Sequence, residues 1–232
     1  MEKTDQVKAH LAQAIQSVVG VTSDSVGTNC VMYAMVGALA MQKLGFTKAK
    51  AVAGSALWRV GPGDGDVISH ALSTMQPGMG LYSPGVAVKR FMGHAWIECG
   101  DELIDFTTHT LKQKAKMLDA ADGGTTLVAW APTFLWARKS SCLPLGDVSQ
   151  SYDVGVYGYA RDPGVEPVVL RWDGSGTSAD EVAAQVLLTY NLLQAGHVVH
   201  VLGVDAESQT VYSAEDLEKK ALQQGLVRSE GT

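Results

Sequence analysis

The sequence predicts an α+β fold, and three features carry that expectation. Helical patterns come first, extended runs follow, and a helix–strand–helix pattern closes the chain, an order that favours segregated helices and strands over a doubly wound sheet. Residues 30–41 are apolar almost all round, as in a helix buried at the centre of a fold. Two extended runs flank Gly100-Asp101, which is a hairpin signal.

The first element is a helix over 4–19, where Val7, Leu11, Ile15 and Val18 recur at helical spacing and Gly20 marks the stop. After the linker "VTSDSVG", Thr28 and Asn29 are capping residues ahead of Cys30, and Gly45 stands where a left-handed C-cap is needed. "AKAVAGSALWRV" (49–60) reads as a strand. Residues 61–93 are irregular: "GPGDGD" and "QPGMGLYSPG" are turn chemistry, and "VISHALSTM" between them reads as a short helix. So long a segment in a compact domain is functional or mobile. Its apolar residues Val67, Ile68, Leu72, Met75, Met79, Leu81 and Tyr82 either lie over a neighbouring cleft or complete the core, and both alternatives stand.

"GHAWIECGDELIDFTTHT" (93–110) is the hairpin. "TTLVAWAPTFLWARK" (125–139), interrupted by proline, "VGVYGYA" (154–160) and "PVVLRW" (167–172) are further strands. Ser178 and Glu181 make a capping box that opens a helix through Leu193, stopped by Gly196. "HVVHVLGV" (197–204) reads as a strand, and Ser213 caps a last charged helix ending near Gly225.

Composition excludes several function classes. The 232 residues are 46% hydrophobic and 18% charged, enough for a single domain over 1–232. Net charge is −6 and the Lys and Arg residues are scattered, so there is no basic stripe for nucleic acid and no polybasic cluster for a membrane surface. No apolar run reaches the ~20 residues of a membrane span. The start, "MEKTD", lacks the apolar core of a signal peptide, and three cysteines are too few and irregular for a disulfide framework. The expectation is a cytoplasmic protein with free thiols and no cofactor.

Three residues stand out together: Cys30, His94 and Asp105. A thiol at a helix start meets unpaired N–H groups and the positive end of the helix dipole, which favour the thiolate and can hold an oxyanion. In "HAWIE", His94, Trp96 and Glu98 share a strand face; in "LIDFT", Leu103, Asp105 and Thr107 do. If Cys99 pairs with Glu102, Trp96 lies opposite Asp105 and His94 is diagonal to Asp105 on the same face. A one-residue slip would separate them. Thiol, base and orienting carboxylate are the parts of an activated nucleophile.

Small-polar-Cys at the start of a buried helix, followed by "HAWIE" and "LIDFT", resembles the transglutaminase-like branch of the papain-like cysteine hydrolases over about residues 20–110. The resemblance implies a papain-like core with a central buried helix packed on an antiparallel sheet, approximately 1–139, and a C-terminal strand and helix extension over 140–232. It implies a Cys30–His94–Asp105 triad acting on a peptide, amide or thioester, by hydrolysis or acyl transfer. The Cys30 backbone N–H would be one oxyanion donor, with Asn29 a candidate for the other. Val31 and Met32 depart from the aromatic or acidic residues usual after the nucleophile. The Arg-Gly-Gly-x-Cys signature of arylamine N-acetyltransferases is missing. The alternative class is a non-catalytic protein that keeps the cleft to bind a peptide or partner.

Trp96 and His109 are cleft candidates, although His109, like His70, also reads as a surface-loop histidine. Cys99, on the strand face away from His94, and Cys142 read as structural. Glu98 reads as a solvated or strand-pairing charge. Cys30, His94, Asp105 and His109 fit no standard zinc spacing, so no metal is expected. "GPGDGD" lacks the Lys-Ser/Thr ending of a phosphate loop and is a turn.

Overall fold

Strand β1 (Ala49–Arg59) is the spine of a mixed α+β fold with an antiparallel sheet. The computed structural model describes residues 3–22, 29–70, 93–171 and 178–197, all within the unit Met1–Val199. β1 pairs with β2 (Val67–His70) through its second half and with β3 (His94–Cys99) through its first half. β3 leads through the Gly100-Asp101 turn to β4 (Glu102–Asp105), and β4 pairs with β5 (Leu135–Arg138). β6 (Tyr157–Arg161) pairs with Gly54–Trp58 of β1. Gly54 therefore has His94 on one side and Arg161 on the other, and Ala56 has His70 on one side and Tyr159 on the other. It follows that β3 and β2 succeed one another along a single edge of β1, changing over at Ser55.

One sheet face is built from small residues and meets helices. Ala49, Ala95, Ile97 and Ile104 pack with helix α1 (Lys3–Thr22), α2 (Cys30–Lys43) and α6 (Ala179–Gln194) in the main core. The alanines let α2 come close: a Cβ added to Gly37 would lie 2.8 Å from Ile97 Cδ1. The α2 helix ends in a Schellman motif, with Gly45 at φ +95° and the Phe46 N–H donating to the Met41 carbonyl at 2.9 Å. The opposite face carries Ala56, Trp58 and Ile68, packed with Leu111 and Ala115 of α3 (Leu111–Asp122). Two short helices, α4 (Leu145–Gln150) and α5 (Glu166–Val169), and 3₁₀ turns at Thr108–Thr110 and Lys139–Ser141 complete the described elements. None of the described helices is long and apolar enough to cross a membrane.

The hairpin register is the expected one: Ile97 faces Ile104, Glu98 faces Leu103, and Cys99 faces Glu102. Gly100 takes φ +65°, a value that favours glycine at this turn position. The Ser178–Glu181 capping box forms, and Gly196 ends α6 at φ +82°. Other readings are corrected. The first helix runs through Gly20 to Thr22. Residues 67–70 are a strand, because pairing with Ala56–Arg59 overrides a weak local helical pattern. Ile68 is thereby fixed in the core, so that part of the 61–93 segment does not lie over a cleft. Only Leu135–Arg138 of the 125–139 run is strand. The 166–169 stretch is a helical turn, since Pro167 sits in its first turn, where no N–H is needed. The α3 helix has no counterpart in the sequence reading. The remainder of the 61–93 segment (71–92), the 198–204 strand and the Ser213 helix lie outside the described residues.

Candidate active site

The hairpin delivers an imidazole and a carboxylate to one buried point. His94 opens β3 and Asp105 ends β4, on the sheet face that carries Trp58 and Trp96. His94 Nε2 donates to Asp105 Oδ2 at 2.8 Å, with both side chains sealed from solvent. The Tyr159 hydroxyl donates to the same oxygen at 2.7 Å. The backbone N–H and hydroxyl of Thr107 donate to Oδ1 at 2.8 and 2.7 Å. Burial works against the charge on Asp105, but the His94 charge and hydrogen bond, the Lys114 charge and the Thr107 N–H hold its carboxyl well below the usual range. Burial likewise opposes charge on His94, and Asp105 and Cys30 together raise its pKa above the ordinary histidine value. With its proton on Nε2, neutral His94 presents a lone pair at Nδ1, which makes no hydrogen bond of full geometry among the described residues.

Cys30 meets this ring from the other side of the sheet. It is the first residue of α2, behind Asn29 at the N-cap. Burial pushes its thiol up, but the His94 hydrogen bond and charge, the Lys114 charge and the Ala95 N–H outweigh it, and the pKa falls below the ordinary thiol value. At the changeover from β3 to β2, His94 and His70 lie edge-on to each other, ring centroids 5.0 Å apart, and the His70 Nδ1–H donates to the Gly93 carbonyl at 3.0 Å.

Aromatic rings fix the imidazole in place. Trp58 lies edge-on to it at 5.0 Å, and Trp96 stacks at 6.3 Å. The Trp58 indole N–H donates to the Tyr159 hydroxyl at 2.8 Å, which in turn donates to Asp105. Lys114, from α3, lays its ammonium 5.3 Å from the Trp58 ring centroid.

Of the residues expected at the site, the fold brings Cys30, His94 and Asp105 together. Asn29 is buried beside Cys30, and its side chain makes no cap hydrogen bond. Trp96 is a buried wall behind the imidazole. His109, expected as a cleft candidate, sits in the turn before α3, with its Nδ1 2.9 Å from the Phe106 carbonyl and its ring edge-on to Tyr33. His70 is corrected as a surface residue, since it is fully buried next to His94. Cys99 packs on the helix side of the sheet and Cys142 against the Trp96 cluster, both as structural residues. Glu98 bridges strands through Lys139 at 2.7 Å and Lys50 at 3.8 Å.

Sequence reasoning missed Lys114, Tyr159 and Trp58. For Lys114 a signal existed: Leu111, Ala115 and Leu118 form a helical apolar stripe, and Lys114 sits on it. Tyr159 and Trp58 gave none beyond strand alternation, because their roles come from the pairing of β1 with β6. Among the described residues, no group of three or more His, Cys, Asp or Glu is placed to hold a metal.

A family described as "Protein of unknown function (DUF2026)" matches residues 9–122, the stretch that holds Cys30, His94, Asp105 and Lys114. No curated protein matches the chain. A solved structure, "The crystal structure of genomics APC5867", is similar over 93% of this chain and 89% of its own, with 15% sequence identity and a TM-score of 0.52. At that identity the likeness is one of fold.

Proposed function

We propose that this protein is a cysteine-dependent hydrolase or acyl transferase that acts on an amide or thioester through Cys30, His94 and Asp105, on a papain-like core of the transglutaminase-like branch. The observation that carries the reading is the buried His94–Asp105 pair, whose free ring nitrogen is met by a thiol at a helix start. A buried histidine needs no such carboxylate merely to pack, and a buried thiol needs no lowered pKa. Both features suit a nucleophile and its base.

In this mechanism His94 Nδ1 takes the Cys30 proton, and the thiolate attacks the substrate carbonyl carbon. The tetrahedral oxyanion faces the N-terminal amides of α2, the Cys30 N–H among them. The imidazolium then returns its proton to the leaving amine or thiolate, leaving an acyl group on Sγ. Water or a second nucleophile, deprotonated by the same Nδ1, releases the acyl group. Asp105 keeps the Nε2 proton in place and stabilises the imidazolium.

The competing reading is a binding protein that keeps the site without chemistry. It draws on one observation, the 6% exposure of Cys30. Incubation with p-nitrophenyl acetate separates the two. The catalytic reading expects a burst of nitrophenol and an acetyl adduct mapped to Cys30, lost in Cys30→Ala and strongly slowed in His94→Ala. An enzyme preparation with no adduct and no burst, which still binds peptides, would leave the binding reading standing.

A further inference from the structure

Lys114 is a cation built into the interior, and among the described residues its Nζ has no hydrogen-bond acceptor. An isolated buried ammonium is costly, and chains ordinarily pair it or leave it in water. Here the helix decides otherwise: Leu111 and Ala115, which flank it on the same stripe of α3, are buried against the sheet. The ammonium is thereby laid over the Trp58 face, 5.3 Å from its centroid. Trp58 is itself tied to the site, edge-on to His94 at 5.0 Å and hydrogen-bonded through Tyr159 to Asp105.

We propose that Lys114 is a positioning residue of this site: its ammonium, held over Trp58, is the counter-charge that keeps the Cys30, His94 and Asp105 group balanced while the thiol ionises. The inference rests on the acyl-transfer reading of Cys30. Before proton transfer, the Asp105 carboxylate stands against the Lys114 ammonium, and the thiol and imidazole are neutral. Transfer from Cys30 to His94 creates one anion and one cation, so the total stays zero. Without Lys114 the same transfer takes place beside an uncompensated carboxylate, and a second anion must form in a site that is already negative.

Among the described residues the neighbours do not supply a substitute. The described titratable groups facing this point are Cys30 from α2, His70 from β2, His94 from β3, Asp105 from β4, Tyr159 from β6 and His109 from the turn before α3. Burial, with the Lys114 and His94 charges, keeps His70 neutral, so it is no second cation. Burial, with Asp105, keeps Tyr159 protonated, so it is no second anion. Burial lowers the Lys114 pKa, and the Asp105 and Cys30 charges hold it up against that, so among the described residues Lys114 is the cation whose charge is coupled to both.

The test reads Cys30 alkylation by iodoacetamide against pH in the wild type, Lys114→Met and Lys114→Arg, with melting temperatures measured alongside. Methionine follows the lysine side chain as far as Cε and removes the burial cost of the charge, so a mere space-filling role leaves the alkylation curve unmoved. The proposal expects Lys114→Met to alkylate roughly tenfold more slowly at about pH 6, with the difference closing at about pH 10, where an ordinary thiol is ionised. Lys114→Arg should keep the wild-type curve. Superposed curves for wild type and Lys114→Met overturn the proposal. If Lys114→Met does not fold, Lys114→Gln against Lys114→Arg makes the same comparison. A wild-type Cys30 no faster than an ordinary thiol at about pH 6 would fell the acyl-transfer reading itself. A fast wild-type thiol indifferent to Lys114→Met fells only the role of Lys114.

Discussion

His94 Nε2 lies 2.8 Å from Asp105 Oδ2, and neither side chain is more than 1% exposed. This contact is diagonal across the β3–β4 hairpin in the register that sets Cys99 against Glu102, and a one-residue slip would send the two side chains to opposite faces. Asp105→Asn keeps the shape and removes the charge. Its amide NH₂ can donate to Nε2, which moves the imidazole proton to Nδ1, where a lone pair is needed. We expect acetyl-adduct formation on Cys30 to fall by about 10²–10⁴-fold, the range in which a mis-set tautomer disables a comparable histidine. Stopped-flow nitrophenol release measures it. An Asn variant within a few fold of wild type would mean that Asp105 only supports the fold.

The same pair sets a pH window for stability. The Asp105 carboxyl is held below its ordinary value, so its contribution is complete above the unfolded-state value of about 4 and is lost as pH falls toward the folded one. The His94 imidazole is held above its ordinary value, so its contribution is complete below about pH 6.5 and is lost as pH rises through the raised folded value. Urea unfolding of the wild type should therefore be most resistant between those two limits. His94→Gln should flatten the alkaline side of the curve relative to wild type. An unchanged alkaline slope in that variant would place the dependence elsewhere.

The three thiols should react in a definite order. Cys30 is lowered by His94, Lys114 and the Ala95 N–H in spite of burial. Cys99 is raised by burial and by Glu102, and burial pushes Cys142 up to about 11. At about pH 6 the thiolate fraction, not the exposed area, should decide the rate with a small reagent. Peptide mapping after brief iodoacetamide treatment should find Cys30 carboxamidomethylated first. Earlier labelling of Cys99, which is more exposed, would show that access governs and that the Cys30 thiolate is not stabilised.

The parts of this fold legible in the sequence were those whose signals are local. Gly100 and strand alternation specified the hairpin, and with it the side of the sheet shared by His94 and Asp105. Gly45 and the Ser178–Glu181 box specified helix ends through backbone geometry that few residues allow. The parts that were not legible depend on distant pairing. "VISH" has no decisive period, and it becomes a strand because Ala56–Arg59 lies beside it. "PVVLRW" is rich in valine and read as extended, yet Pro167 suits a first helical turn and the Glu166 carboxylate is held by Arg161 at 2.9 Å. Lys114 interrupts the apolar stripe of α3, which hid both the helix and its charged member. Tyr159 was placed on a strand correctly, but only the pairing of β6 with β1 brings its hydroxyl to Asp105.

Gly54 tests whether that long-range pairing holds the site together. It is the β1 residue flanked by His94 on one strand and Arg161 on the other. A Cβ there would collide with the Ala160 carbonyl oxygen and lie 2.9 Å from the Ala160 carbonyl carbon and the Arg161 Cα. These are backbone atoms, which no rotamer change can move aside, so β6 must shift and carry Tyr159 with it. Two effects oppose each other in Gly54→Ala. Restricting the unfolded chain stabilises by about 0.4–1 kcal/mol. Forcing extra volume into a packed contact costs about 1–3 kcal/mol, and between two paired strands the second should win. We expect a net loss of stability in urea unfolding, together with slower Cys30 alkylation at about pH 6 as Asp105 loses its Tyr159 donor. Gly65→Ala is the control: nothing lies within 4 Å of its added Cβ, so stability there should stay level or rise slightly. A Gly54→Ala protein as stable as the Gly65→Ala control, with a wild-type thiol, would show that β6 can move without cost and that Tyr159 does not hold the carboxylate in place.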